Sequence, residues 1–486
     1  MLLTIDIGTS SFKSAIWDLN GNRLSFAAVP LSAGTADNIN ETDPAQWLRA
    51  FEACCQKLLL NMQAGNFSAV QAVVISGNGP TLVPVTGEPR SGICGFSVAA
   101  ENVRLWLDRR AEKYHAEVSA LMGGYVDAAF FLPKVLAIKN EEKELYQKTK
   151  IFLGCPEYLA YTLTGEARSV FPSEGFDRWF WNDSVLEKLN LDAEKFPAFI
   201  RPGDCFGTLA PSAAEYFGFA KNVPVISGGP DFFAAILGAG ITEPGQVCDR
   251  TGSSEGINLC TLNRIDCGHL MSYGHPLGNL SGADKDKHYW NLSGVIPASG
   301  KAIEWCLNLF ELSGFEDFFA LAQKSKSGSG GLIFLPYLAG ERLPLKDSFA
   351  QGQWSGISLG AGRAEFANSV LEGICFAIRN IINTMEEAGG KSPCGAKVKE
   401  LRVTGGLAGT GFLNQLKADI TGKKVLSPVH KEAELLGLAI IGACSLGIYS
   451  SRIEAASSLA RIGETYKPDL EKTAFYNEMF DAFRRC

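Results

Sequence analysis

Twice, half a chain apart, the sequence places a short run of small residues between two stretches of β-forming ones. Near the start stands Asp6-Ile-Gly-Thr-Ser-Ser-Phe-Lys13; later stands Asp249-Arg-Thr-Gly-Ser-Ser-Glu-Gly256. A return strand follows each, Ser14–Trp17 in one case and Ile257–Leu259 in the other. Two similar hairpins opening two halves of equal length point to a duplicated domain with a cleft between the copies. Chain length agrees. A chain of 486 residues exceeds what one core supports, so two domains of roughly 240 residues are expected, divided as 1–244 and 245–486.

Apolar, β-rich runs alternate with amphipathic ones along the whole chain. Leu2–Ile7, Ser14–Trp17, Val70–Ser76, Val223–Ser227, Leu332–Leu335 and Leu401–Thr404 read as strands. Pro44–Gln63, Phe366–Glu387 and Gly411–Thr421 space their apolar residues as helices do. That alternation predicts an α/β architecture. The N-terminus has no basic region and no small-residue cleavage site, and reads as a strand rather than a signal peptide. Leu435–Tyr449 is too short for a bilayer span and is broken by glycine, so it reads as a buried helix. Ser325–Gly331 (SKSGSGG) reads as a flexible surface loop, too short to link domains.

The charge balance narrows the partners. Net charge is −7 with acids and bases mixed, and without a Lys/Arg run neither nucleic acid nor an anionic membrane is the expected partner. Thirteen cysteines stand without a CxxC pair or a Cys/His cluster, which predicts reduced thiols in the cytoplasm rather than disulfides or zinc. Adjacent Cys54 and Cys55 read as two positions on one helix.

Three segments could carry chemistry. Gly8-Thr9-Ser10-Ser11 offers backbone N–H groups and hydroxyls at close quarters, a concavity that suits phosphate oxygens. Lys13 adds a positive charge for the same anion, and Asp6 could hold the accompanying Mg²⁺. The same residues would also make an ordinary polar hairpin turn. Ser227-Gly228-Gly229-Pro230-Asp231 runs from a strand into an Ala/Gly-rich helix. A carboxylate there can take a proton from an attacking hydroxyl, or simply cap the helix. Leu401–Gly411 runs from a strand through glycines into a helix, bare backbone on which a nucleotide could lie, though it lacks the P-loop pattern.

Taken in order, these segments resemble the FGGY family of carbohydrate kinases, and the likeness runs from Ile5 to about Gly447. DIGTSSFK matches the family's first phosphate loop, and Leu105-Trp-Leu-Asp-Arg-Arg-Ala111 its LWxDxRA segment near the sugar. Gly228–Asp231 matches the GGxD motif, and Phe334–Pro344 the FLPYLxGERxP block. Gly352–Ile357 with Glu365–Glu372 fits the C-terminal signature, and Leu401–Asp419 resembles the adenosine-binding strand and helix.

The resemblance implies two actin-like (ribonuclease H-like) ATPase domains facing a cleft, the first holding sugar and the second nucleotide. It implies an ATP-dependent kinase acting on a small sugar or polyol, with ATP and Mg²⁺. Asp231 falls on the general base, and Asp6 and Asp231 on the carboxylates for the metal. Thr9, Ser10, Ser11 and Lys13 fall on the first phosphate loop, Gly252 and Ser253 on the second. Gly300 and Glu304 lie beside the nucleotide; Gly405, Gly406 and Thr410 lie where the family holds adenosine. Asn78, Gly79, Trp106 and Asp108 fall near the sugar, although Trp106 also reads as a core aromatic. Glu341 and Arg342 read as an interface salt bridge outside the site. Dimers are common in the family, which makes a second copy of the chain one candidate partner.

Departures from the family pattern open a second reading. The second phosphate loop usually reads GTSG, but here Glu255 follows Gly252-Ser-Ser, and a carboxylate beside phosphates repels them unless it points away or meets Mg²⁺. Thr410 stands where some members carry Asn. The turn Ser76–Thr81 has neither the MHG of xylulose kinases nor the RE pair of glycerol kinases. Layout and length favour a ketopentose such as xylulose. The alternative is a catalytically weak sensor that binds sugar and nucleotide.

Overall fold

The computed structural model describes residues 1–32, 40–62, 66–87, 103–279, 288–341, 344, 347, 349–390 and 397–486. They form two compact units, one of Met1–Ala234 with Glu434–Leu459, the other of Ala235–Ala433 with Ala460–Cys486.

Among the described residues the first unit carries a six-stranded sheet. Its strands are β1 (Leu2–Ile7), β2 (Ser11–Trp17), β3 (Arg23–Pro30), β4 (Ala72–Gly77), β5 (Cys205–Thr208) and β6 (Pro224–Pro230), in the order β5-β6-β4-β1-β2-β3. β1 is antiparallel to β2 and parallel to β4, and β4 is parallel to β6. Every residue of β1 and β4 is buried, as befits strands rich in Leu, Ile and Val with both faces covered. β2 starts three residues earlier than its apolar run suggests, because Phe12 and Lys13 already pair with Ile7 and Asp6. Helix α1 (Ala45–Met62) turns Trp47, Phe51, Cys54, Cys55 and Leu58 into this core, so the paired cysteines do share one helix.

The second unit repeats the plan. β7 (Gln246–Thr251) and β8 (Glu255–Thr261) form the hairpin, with β9 (Met271–Asn279) and β10 (His288–Ile296) beyond β8. β11 (Glu400–Gly405) and β12 (Lys424–Pro428) extend the sheet in parallel from β7, and antiparallel β13 (Ile462–Tyr466) closes it. The order β9-β10-β8-β7-β11-β12-β13 matches the first sheet strand for strand once β9 is set aside. Hairpin, antiparallel neighbour, two parallel strands and an antiparallel edge recur in both. The repeat in the sequence is therefore a repeat of topology.

Further helices place the residues of interest. They are α2 (Phe131–Glu141) and α3 (Asp231–Gly238), then α4 (Gly300–Leu309), α5 (Arg363–Gly390) and α6 (Gly411–Thr421). The apolar run after Leu435 is a helix, Ala433–Ser445, and among the described residues no helix is long and apolar enough to cross a membrane. The SKSGSGG stretch is not the flexible loop its composition predicts. Ser329 is buried, and the Glu372 carboxylate on α5 accepts from Gly328 N–H and Ser329 Oγ, each at 2.7 Å. A partner 43 residues away outweighs the local preference of Gly and Ser for open loops.

Candidate functional site

β1, β4 and β6 run parallel, so their C-terminal ends share one edge of the first sheet. Open α/β folds bind ligands at such an edge. The turn Gly8–Ser10 follows β1, Asn78-Gly79 follows β4, and Asp231 follows β6. Three of the segments singled out in this half of the sequence come together there.

Hydrogen bonds fix their relative positions. The Ile7 carbonyl accepts from the backbone N–H of Asn78 (2.8 Å) and from its side-chain amide (3.0 Å). Asn78 Oδ1 accepts from the Thr81 hydroxyl (2.5 Å), which itself accepts from the Trp106 backbone N–H (3.2 Å). The Trp106 indole N–H then donates to Thr9 Oγ1 (2.9 Å), two residues beyond Ile7. The circuit is closed. Trp106 is half-buried and bridges the LWxDxRA segment to the first small-residue turn, so it is not a core aromatic. Gly79 is exposed, with open space where a Cβ would stand.

Beneath the circuit lies a residue that sequence reasoning missed. Lys134 on α2 is fully buried, and its Nζ donates to the carbonyls of Pro80 (2.9 Å) and Leu105 (2.6 Å). It thus clips the turn after β4 to the LWxDxRA segment. Burial pushes its pKa down to about 7, with Asp108 opposing and Arg104 adding to the fall. The available signal was a lysine inside an apolar helical run, Phe131-Leu-Pro-Lys-Val-Leu-Ala-Ile138. Asp108 is buried too, and both its oxygens accept from the Arg110 guanidinium, which also pairs with Glu41. It shapes the segment through that pair.

Asp231 opens α3. Its approach is stitched to β4, because Ser76 Oγ donates to the Gly229 carbonyl (2.8 Å) and Gly229 N–H donates to Ser227 Oγ (3.3 Å). Gly229 has φ +71°, and a Cβ there would also meet Pro202 Cγ at 2.7 Å. The carboxylate is half-buried, and Oδ1 accepts from Phe232 N–H at 2.7 Å. A negative charge is favoured at a helix N-terminus. Asp6, at the end of β1, and Lys13, its partner across the hairpin, stand on the same edge.

In the second unit the turn Gly252–Ser254 joins β7 to β8, with Gly252 and Ser253 exposed. The N-terminus of α4 grips its carbonyls: Gly300 N–H donates to Gly252 O (3.1 Å), while Ser299 and Lys301 N–H donate to Ser253 O (3.1 and 3.2 Å). Glu304 stands one turn further along α4, exposed. β11 pairs Gly405 with Thr251, and Gly406 N–H donates to the Thr251 carbonyl (3.1 Å). Thr410 occupies the N-cap of α6 without a side-chain cap bond. The residues expected near phosphate and near adenosine are therefore neighbours across one strand pair.

Glu255 does not face the turn. It is fully buried; Oε1 accepts from Lys417 Nζ (2.6 Å) and Thr251 Oγ1 (2.8 Å), and Oε2 from Ser299 Oγ (2.5 Å). Burial alone would raise its pKa, but Lys417 outweighs that and holds the carboxylate well below its usual range. Asp249 moves the other way, raised by burial. Glu341 is buried, whereas Arg342 lies outside the described residues.

With this geometry in place, the likenesses to known proteins fall into line. Residues 1–238 match the model of the FGGY family of carbohydrate kinases, N-terminal domain, and residues 272–446 match that of its C-terminal domain. A xylulose kinase of Staphylococcus epidermidis is 26% identical over 499 residues, spanning 99% of this chain and 95% of the relative. A gluconate kinase from Lactobacillus acidophilus superposes with a TM-score of 0.82 at 20% identity, covering 100% of this chain and 96% of that one. A ligand-bound xylulose kinase from the same organism gives 0.81 at 20% identity, covering 100% and 97%. At that identity the structures speak for the fold alone, that of two actin-like ATPase domains.

Proposed function

This chain belongs to the FGGY family of carbohydrate kinases, and we propose that Asp231 is the base of its phosphoryl transfer. The chain is an ATP-dependent sugar kinase. The observation that carries the base assignment is a half-buried carboxylate at the start of α3, on the sheet edge that also bears the Thr9 turn and the Asn78 turn. In this reading Asp231 takes the proton of the substrate hydroxyl as that oxygen attacks the γ-phosphorus. The bond from the γ-phosphorus to the bridging oxygen breaks, and ADP leaves with its electron pair.

Other residues position the ligands, since a loose transition state asks mainly for placement and charge. Thr9, Ser10, Ser11, Lys13, Gly252 and Ser253 take the phosphates. Gly405, Gly406 and Thr410 take adenosine, with Gly300 and Glu304 beside it. Asn78, Gly79 and Trp106 take the sugar, and Asp108 orders their segment through Arg110. The N-terminal half, residues 1–244, holds sugar, and residues 245–486 hold nucleotide. Among the described residues no three or more His, Cys, Asp or Glu side chains cluster as a metal site. A pair of carboxylates suits Mg²⁺, which takes one or two such ligands together with phosphates and water. Asp6 and Asp231 would supply them, and the ion would neutralise phosphate charge.

A neutral polyhydroxylated substrate fits the sugar segments better than an acid. The cations of these segments have partners of their own: Arg110 pairs with Asp108 and Glu41, Arg109 with Asp127 and Glu112, Arg104 with Glu142, and Lys134 is spent on carbonyls. A ketopentose such as xylulose leads. The sensor reading loses one of its motives, because Glu255 is turned away from the phosphate turn, and keeps the other, the unfamiliar turn Ser76–Thr81. ADP release should be measured over ketoses, aldoses, polyols and gluconate. Turnover on a neutral sugar is expected; turnover on gluconate alone contradicts the substrate class, and tight binding of one sugar with no turnover restores the sensor.

A further inference from the structure

Behind the second phosphate turn lies a buried ionic cluster that the phosphoryl-transfer account leaves unused. Lys417 sits on α6, 1% exposed, and its Nζ makes three bonds: to Asp249 Oδ2 (2.7 Å), Glu255 Oε1 (2.6 Å) and Thr251 Oγ1 (3.0 Å). An ammonium has three hydrogens, and all are used. Thr251 and Glu255 are the register pair flanking the turn, so the lysine holds both stems at once. Glu255 then reaches forward to Ser299 Oγ, and Ser299 opens the helix whose N–H groups hold the turn's carbonyls.

These contacts decide which way the turn's amides point. In a trans peptide the C=O and N–H lie on opposite sides. Anchoring Gly252 O to α4 aims the Ser253 N–H away from that helix, and anchoring Ser253 O does the same for Ser254 N–H. Amides presented in this way are what a phosphate needs. The fit is tight, since a Cβ on Gly300 would stand 2.4 Å from Gly252 O. Ions this deeply buried are costly to hold, and stranding one by removing its partner is strongly destabilising. Such a cluster is a poor source of stability. Its value lies in geometry.

We propose that Lys417, acting through Glu255 and Ser299, is a positioning residue that sets the second phosphate turn from behind and couples it to the adenosine-bearing helix α6. The inference rests on the kinase reading, in which that turn holds phosphates. It assigns a task to the carboxylate that departs from the family's GTSG: Glu255 belongs to the scaffold, and Lys417 is its counter-ion. The cluster carries no contact to substrate in this assignment. Its removal weakens triphosphate binding and spares both adenosine and sugar.

Three variants of the full chain test this: Ser299→Ala, which cuts the forward link alone; Lys417→Met; and the charge-neutral triple Lys417→Met/Asp249→Asn/Glu255→Gln. The triple keeps the test sharp if Lys417→Met alone unfolds. Calorimetric titration with ATP and with adenosine should be run beside steady-state kinetics for ATP and sugar. Expected is a loss of about tenfold or more in ATP affinity, less than twofold in adenosine affinity, and an unchanged KM for sugar. Equal losses for ATP and adenosine reduce the cluster to a plain structural element and overturn the proposal, as does wild-type ATP affinity in a folded Ser299→Ala or triple variant. Failure of the wild-type chain to bind ATP at all sinks the nucleotide reading, and this inference with it.

Discussion

Replacing Lys134 with methionine keeps the length of the side chain and removes its two hydrogen bonds. The carbonyls of Pro80 and Leu105 are then left without the amine that joins them at 2.9 and 2.6 Å. Each lost bond is worth about 1 kcal/mol; Leu105 O keeps the Asp108 N–H (3.0 Å), so the stranding cost of about 1–3 kcal/mol falls on the Pro80 carbonyl alone, offset in part because methionine is cheaper to bury. A net loss of about 2–4 kcal/mol in stability follows. Because both carbonyls belong to segments that the proposed function assigns to the sugar, a share of this appears as substrate affinity in that reading. If half does, KM for sugar rises about 5- to 30-fold while KM for ATP stays put.

The pH dependence gives an independent check. In the native chain the amine titrates near 7, and in the unfolded chain near 10.5. Between those values the unfolded state binds more protons, so the wild type gains stability as pH rises, by at most about 1.4 kcal/mol per unit. The methionine variant lacks that slope. Urea melts at pH 7 and pH 9, with a coupled ADP assay for the kinetics, measure both effects. Equal rises in the two KM values, or parallel pH slopes for variant and wild type, refute the clip.

Other substitutions probe other parts of the site. Trp106→Phe keeps the ring and removes the donor to Thr9; KM for sugar should rise about 2- to 10-fold with little change in melting temperature, the range of one hydrogen bond. Gly300→Ala drives a methyl against the Gly252 carbonyl and should raise KM for ATP at least about tenfold, read from initial rates at saturating sugar. Glu157 is buried in the first unit, and burial pushes its carboxyl up to about 7 from an ordinary 4.5. The native state therefore binds more protons between those values, and stability falls as pH rises through that window. Glu157→Gln should flatten this fall, by at most about 1.4 kcal/mol per pH unit, in urea melts at pH 5 and 7.5.

What could be read from the sequence was what local patterns encode. The two hairpins showed because β-forming runs flank Gly/Ser/Thr turns, and strand β1 and helix α6 match the reading residue for residue. Asp231 showed because a strand running through Gly-Gly into an Ala/Gly-rich helix places its carboxylate at a sheet edge. Lys134 and Lys417 stayed hidden, since their partners lie 29 to 168 residues away and three of the five are backbone carbonyls or a hydroxyl that no motif records. Glu255 was placed beside the turn with its direction left open for the same reason. Strand position fixes its register but not the lysine that turns it inward. The return of Glu434–Leu459 to the first unit is likewise a tertiary fact with no local signature.

The most direct measurement takes Asp231→Asn, which keeps shape and hydrogen bonding at the start of α3 and removes the proton acceptor. Single-turnover transfer from ATP to the best sugar of the panel should slow by about 10²- to 10⁴-fold, with ATP and sugar affinities within about threefold of wild type. Transfer at the wild-type rate in that variant would contradict the account, because some other group would then be taking the proton.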